Sequence, residues 1–397
     1  MRQTTWILAA AALTASLCLP IAAAEPGANV TMRGTLHNCR LRFDRDKAGH
    51  VAFIGGSITE MNGYRPMVCE LLQQKFPQTK FTFTDAGISS TCSTTGAFRL
   101  KRDVLDKGPV DLFFVEFAVN DDQDANHAAR DCARGMEGLV RHTRLHNPNA
   151  DIVITYFVNP GMLAQLQAGR TPLPMAAHEK VAAHYDASTI HLAKEVAERI
   201  TAGKLTWKQF GGTHPAPAGN RICADMIRGL LEAAWDKPLP ADAKPTPCPM
   251  PEPLDTLSYF RGRLIDVKEA KAPKGFQVHV PPWKQIKGSF RGRFADQTLL
   301  TTDTPGPALT LAFEGTAVGA YVLAGPDAGI VEASVDGARA RKVDLFHRFS
   351  RGLHYPRTVM FAADLKPGPH TLTLRMASEH NPQSTGTALR VLHFVAN

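Results

Sequence analysis

The sequence predicts two folded units of different class: an α/β domain built on a mostly parallel sheet, then a β-sandwich. Three observations predict them. Over residues 50–235, apolar strand-like runs alternate with stretches of helical spacing. A stretch with seven prolines, DKPLPADAKPTPCPMPEP at 236–253, then interrupts the pattern. Beyond it the apolar runs are short, β-type and punctuated by Gly and Pro. Repeated strand–helix units imply a parallel sheet with helices on both faces. Many short strands separated by turn residues imply a sandwich.

Taken in order, the chain begins with Arg2, an apolar stretch over 6–19, and Ala22-Ala23-Ala24 before Glu25. This pattern predicts a secretory signal peptide over 1–24 and an exported protein, periplasmic or extracellular, without a stable membrane anchor. The run is too short for a membrane span and carries Pro20 near its end. Leu17, before Cys18, argues against a lipoprotein signal. The α/β domain is expected over 25–235. Residues 51–54 read as a buried strand stopped by Gly55-Gly56, 64–76 as a helix, and 81–85 as a strand. Residues 95–106 read as a helix, and 110–119, nearly all apolar, as a strand covered on both faces. A helix over 126–146, a strand over 151–158, and helices over 176–202 and 217–235 follow. The proline stretch, placed at 236–254, cannot continue a helix or central strand and predicts an extended spacer. The β-sandwich is expected over 255–397, with β-type runs at 310–313, 318–323, 331–335, 371–374 and 389–394 and a hairpin signal at Asp336-Gly337.

Composition narrows the classes further. The 397 residues exceed what one core usually organises. With 44% hydrophobic and 21% charged residues, the chain is neither disordered nor collagen-like. Forty-five Lys and Arg against 37 Asp and Glu give +8, and loss of Arg2 gives +7. No dense basic block accompanies this excess, so no nucleic-acid partner is expected. Without the leader, six cysteines remain: Cys39, Cys69, Cys92, Cys132, Cys223 and Cys248. An even number in an exported chain predicts disulfides, although the pairing is open. No C-x-x-C occurs, and His178-Glu179 is followed by Ala182 where H-E-x-x-H needs histidine, so no zinc motif is present.

In an open α/β sheet, ligands bind beyond the carboxyl ends of the strands. Four residues fall there: Ser57 in FIGGSIT, Gly87 in TDAGISS, Asn120 in EFAVNDD, and His214 in a Gly-Gly-Thr-His-Pro loop. A serine on a tight turn can act as nucleophile, and a histidine can take and return its proton. A backbone N–H at Gly87 and the Asn120 amide can stabilise an oxyanion. Thr59 occupies the second glycine position of G-x-S-x-G, which argues against an α/β-hydrolase elbow.

These four blocks, in this order, resemble the SGNH, or GDSL-type, hydrolase family over roughly residues 50–235. The resemblance implies a flavodoxin-like three-layer sheet and a serine esterase, with Ser57 and His214 catalytic, Gly87 and Asn120 as the oxyanion hole, and no metal or organic cofactor. Gly56 stands where many members carry Asp. Gly211 stands three residues before the histidine, where the family's triad Asp usually lies. A Ser–His dyad is therefore expected, with Asp121 and Asp122 as candidate orienting acids. A signal peptide with an added β-sandwich is similar to polysaccharide O-acetylesterases. The expected activity is removal of O-acetyl or similar small acyl groups, and the expected partner is an acylated carbohydrate or small ester. The alternatives are an O-acyltransferase using the same site and a non-catalytic polysaccharide-binding protein. Among the later aromatics, which include Phe346, Tyr321 is expected in the core and Trp283 is open between core and sugar stacking. His354-Tyr355-Pro356-Arg357 is a candidate loop over one side of the site. Oligomeric state is not legible.

Overall fold

The computed structural model describes residues 27–397. The expected signal peptide lies outside the described residues. The strands of the first unit are β1 (Val30–Thr31), β2 (Ala48–Gly55), β3 (Lys80–Gly87), β4 (Leu112–Glu116), β5 (Asp151–Thr155) and β6 (Ser188–Ile190). Its first five helices are α1 (His37–Asp44), α2 (Ser57–Glu60), α3 (Tyr64–Lys75), α4 (Ser93–Asp103) and α5 (Ala129–His146). The others are α6 (Pro160–Gln167), α7 (Leu173–His184), α8 (Leu192–Thr201), α9 (Trp207–Phe210) and α10 (Pro217–Ala234).

The sheet order is β1-β6-β5-β4-β2-β3. β2 to β6 run parallel, and β1 adds an antiparallel edge on β6. Numbering only the parallel strands, the order is 2-1-3-4-5, the flavodoxin-like order that the resemblance implies. β4 sits between β2 and β5 and is buried throughout, which accounts for its unbroken apolar run.

Two element boundaries differ from the sequence expectation. The run at 110–119 leaves the strand after Glu116, and Asn120–Asp124 closes as a π-helical turn. The helix expected over 176–202 is two helices with β6 between them. Asp186 takes a φ of 53°, and Ser188–Ile190 then pairs with β5. Periodicity over this Ala-rich stretch suits one long helix, but the β5 edge offers Thr189 and Ile190 backbone partners and burial.

The proline stretch carries no helix or strand, yet it is strapped to the first unit. Arg40 donates to the Lys237 carbonyl at 2.7 Å, Arg144 to Pro249 at 2.8 Å and Arg141 to Pro251 at 2.5 Å. An extended proline run leaves its carbonyls unpaired, and these guanidinium groups use them. Buried Glu137 then accepts from the N–H groups of Leu254 and Asp255 at 2.6 and 3.1 Å.

The second unit contains β7 (Arg263–Ile265), β8 (Gln277–His279), β9 (Leu299–Thr302), β10 (Ala308–Glu314) and β11 (Val318–Ala324). It continues with β12 (Ile330–Val335), β13 (Arg341–Asp344), β14 (Tyr355–Ala362), β15 (Pro369–Met376) and β16 (Leu389–Ala396). They form two antiparallel sheets, β10-β15-β12-β13 and β14-β11-β16-β9-β8, with β7 also on β16. Leu311, Val331, Leu372, Leu374, Val391 and Phe394 fill the space between them. A second cluster is common to both units and joins Phe98 and Val119 to Tyr259, Phe294, Tyr321 and Leu392. Trp283 also packs there and is 7% exposed.

The expected disulfides do not form. Cys39, Cys69, Cys92, Cys132, Cys223 and Cys248 are free thiols. They are drawn into separate packing: the Cys39 thiol donates to the Leu36 carbonyl, Cys223 is buried on α10, and the Cys248 thiol donates to the Ala150 carbonyl.

Candidate active site

The site is assembled at the carboxyl edge of the sheet. Gly55 at the end of β2 lies level with Gly87 of β3 and Glu116 of β4. The chain leaving each strand therefore delivers Ser57, Gly87 and Asn120 to one edge. Ser57 opens α2, where its own backbone N–H has no helical partner. His214 comes from the loop between α9 and α10. Its Nε2 lies 2.7 Å from Ser57 Oγ, a hydrogen-bonding distance for nucleophile and base. Ser57 is half-buried and His214 exposed.

The histidine loop explains the residue at 211. Gly211 has a φ of 105°, and a Cβ there would lie 1.9 Å from the Ala216 nitrogen. An aspartate does not fit at 211 in this loop. Among the described residues no protein hydrogen bond reaches His214 Nδ1; the ring's one protein hydrogen bond is to Ser57. The loop is held from its other side by Asn220, whose side chain donates to the Pro215 carbonyl at 2.7 Å and accepts from the Tyr64 N–H at 2.9 Å.

Asn120 is buried, and its Nδ2 donates to Asp124 Oδ2 at 2.8 Å. Its Oδ1 has no partner and faces Gly56, where a Cβ would approach it to 2.0 Å. Gly56 thus admits Asn120 against the turn that carries Ser57. The Gly87 N–H is at the same edge but donates to Asp85 Oδ1 at 2.9 Å, and Asp85 pairs with Arg65 at 2.8 Å. Arg293 of the sandwich donates to the Gly87 carbonyl at 3.0 Å.

Asp121 and Asp122 do not reach His214. Asp121 is fully buried, accepts from the Ser93 N–H and hydroxyl at 2.8 and 2.7 Å, and lies 2.9 Å from His178 Nε2. Burial opposes its charge, but His127 and His178 outweigh burial and hold the carboxyl well below the usual range. Asp122 accepts from Asn159 Nδ2 at 2.7 Å. Two sets of donor atoms of metal-ligand type share Asp121: Cys92, Asp121 and His127, and Asp121, Cys132 and His178, each set within 4.8 Å. Both Asp121 oxygens are already taken by Ser93 and His178, so the group reads as a hydrogen-bonded anchor under Asn120.

Sequence reasoning missed Glu116 and Asp124. Glu116 is fully buried and accepts from the Thr59 hydroxyl at 3.3 Å. Asp124 holds the Asn120 amide. Both lie within or beside the asparagine block, and only the acidic run NDDQD signals Asp124.

Residues 53–222 match the GDSL-like Lipase/Acylhydrolase family. No curated protein matches the chain. Among solved structures, a two-domain esterase active on acetylated mannans, crystallised with mannopentaose, is similar at 21% identity and a TM-score of 0.73. The match covers 93% of this chain and 96% of that one. A second structure of a two-domain esterase described as active on acetylated mannans matches at 22% identity and a TM-score of 0.71, covering 93% and 97%. The likeness in fold therefore spans both units.

Proposed function

We propose that this chain, whose residues 53–222 match the GDSL-like Lipase/Acylhydrolase family, is a carboxylic ester hydrolase that acts as a Ser–His acetylesterase on carbohydrate. The observation that carries the mechanism is the 2.7 Å contact between Ser57 Oγ and His214 Nε2. Ser57 Oγ attacks the ester carbonyl as His214 Nε2 takes its proton. The tetrahedral oxyanion is met by the second N–H of Asn120 Nδ2 and by the Ser57 N–H. The Gly87 N–H joins them once it leaves Asp85. Collapse breaks the bond to the sugar oxygen, which leaves with the proton from His214 and yields acyl-Ser57. Water, deprotonated by His214, then releases acetate and restores the serine. Nδ1 keeps its proton throughout, and the exposure of His214 supports solvation of the imidazolium in place of a carboxylate.

Two features support the substrate class. His214 is exposed, so the nucleophile's base is open to a substrate approaching from solvent. The fold likeness to esterases described as active on acetylated mannans runs through both units. The apolar stretch over 6–19 with Ala22-Ala23-Ala24 supports export to where such polymers are met. The test is acetate release from acetylated mannan by the purified chain and by Ser57→Ala. The expected result is release that falls at least about a thousandfold in the variant. Undiminished release by Ser57→Ala overturns the mechanism, and release from small esters but from no acetylated polysaccharide overturns the substrate class.

A further inference from the structure

We propose that Tyr355 of the β-sandwich is a positioning residue for the oxyanion-binding amide, acting through Asp124. This rests on the reading of Ser57, His214 and Asn120 as ester-cleaving machinery. Asp124 closes the π-helical turn that begins at Asn120. Its Oδ2 accepts from Asn120 Nδ2 at 2.8 Å, and its Oδ1 accepts the Tyr355 hydroxyl at 2.6 Å. Tyr355 is 2% exposed, and its ring stacks on His347 with centroids 4.5 Å apart and planes 14° apart. His347 Nδ1 accepts from the Phe349 N–H, so Nε2 carries the proton and donates to the Asp124 carbonyl at 2.8 Å. Arg348 donates to the Gln123 carbonyl. The sandwich thus grips both the side chain and the backbone of the turn.

The consequence for Asn120 follows from donor and acceptor chemistry. A carboxamide can present either its oxygen or its NH2 to a neighbour, and the wrong choice removes the oxyanion donor. An ionised carboxylate only accepts, so Asp124 selects the NH2 face and leaves one N–H of Nδ2 for the developing oxyanion. Burial raises the Asp124 carboxyl, and hydrogen bonds from Tyr355, Asn120 and Gln123 support its charged form. A carboxylate held from one side only can rotate, whereas the Tyr355 hydroxyl ties down its second oxygen. The sandwich is then part of the catalytic apparatus, although none of its side chains is required to touch the ester.

The experiment uses the full chain on p-nitrophenyl acetate, whose cleavage needs no contact with sugar. Tyr355→Phe is expected to lower kcat about tenfold with KM within about twofold, and Asn120→Ala to lower kcat about a hundredfold or more. In the Asn120→Ala background, Tyr355→Phe is expected to cost nothing further, because it acts only through that amide. Asp124→Asn, which approaches the relay from the first unit, is expected to match or exceed Tyr355→Phe. The same tenfold loss in both backgrounds, or no loss from Tyr355→Phe at an unchanged Tm, overturns the proposal while leaving the esterase reading intact. A wild-type chain that cleaves no ester overturns both.

Discussion

Glu116 ends β4 beside the turn that carries Ser57, with no surface in water. Burial pushes its carboxyl up from 4.5 to about 7, against hydrogen bonds from the Gly56 N–H and Thr59. An acid raised on folding contributes stability below its unfolded pKa, and that contribution is lost as pH climbs through the folded value. The window here runs from 4.5 to about 7. Glu116→Gln should therefore gain stability over wild type as pH rises, by up to about 3 kcal/mol at alkaline pH. Thermal melts at about pH 5 and about pH 8 check this, and an equal difference between the two proteins at both pH values refutes it. Gly211 gives a second prediction at this scale. Gly211→Asp, which places an acid three residues before His214, should lower Tm and leave kcat no higher. The left-handed backbone alone costs roughly 1–3 kcal/mol, and the clash of the new Cβ with the Ala216 nitrogen adds to it and forces the loop to move. A gain in kcat at unchanged Tm would refute it.

At the scale of elements, the carboxyl edge of the sheet was legible and the turns that finish it were not. The four blocks with Ser57, Gly87, Asn120 and His214 sit at strand ends or in a Gly-rich loop, and the structure brings these residues to one edge. Strand ends show in sequence because an apolar run stops at glycine or a polar residue, which is a local signal. The π-helical turn at Asn120–Asp124 has no such signal, and the Tyr355 hydroxyl that meets its Asp124 side chain comes from a distant part of the chain. β6 was hidden for a related reason: three residues become a strand because β5 lies beside them. Asp121 and Asp122 look equivalent in NDDQD, yet one is locked by Ser93 and His178 and the other by Asn159.

For the whole molecule, the boundary between the units is a place of continuous packing. Phe98 meets Tyr259 with ring centroids 4.9 Å apart, and Thr95 donates to Thr358 at 2.9 Å. Arg134 is 2% exposed and reaches Asp255 and Asp364 at 2.6 Å each. An apolar, shared core of this kind couples domains that would otherwise move independently. Unfolding should accordingly be a single transition, with far-UV circular dichroism and tryptophan fluorescence melting together. A chain ending at residue 254 should lose that cooperativity, and a fragment that melts sharply on its own would refute this.

Read alone, the sequence establishes the two domain classes, their order, and the residue types that reach the sheet's carboxyl edge. Those features are written in periodicity, punctuating glycines and prolines, and motifs only a few residues long. It leaves open what holds each group in place. Asp124 and Tyr355 are 231 positions apart, and no local pattern relates them. The absence of a protein partner at His214 Nδ1 among the described residues, the free thiols and the strapped proline segment are likewise settled by which surfaces meet. Such contacts depend on how helices and sheets from distant parts of the chain register against each other, and that register is a property of the packed fold.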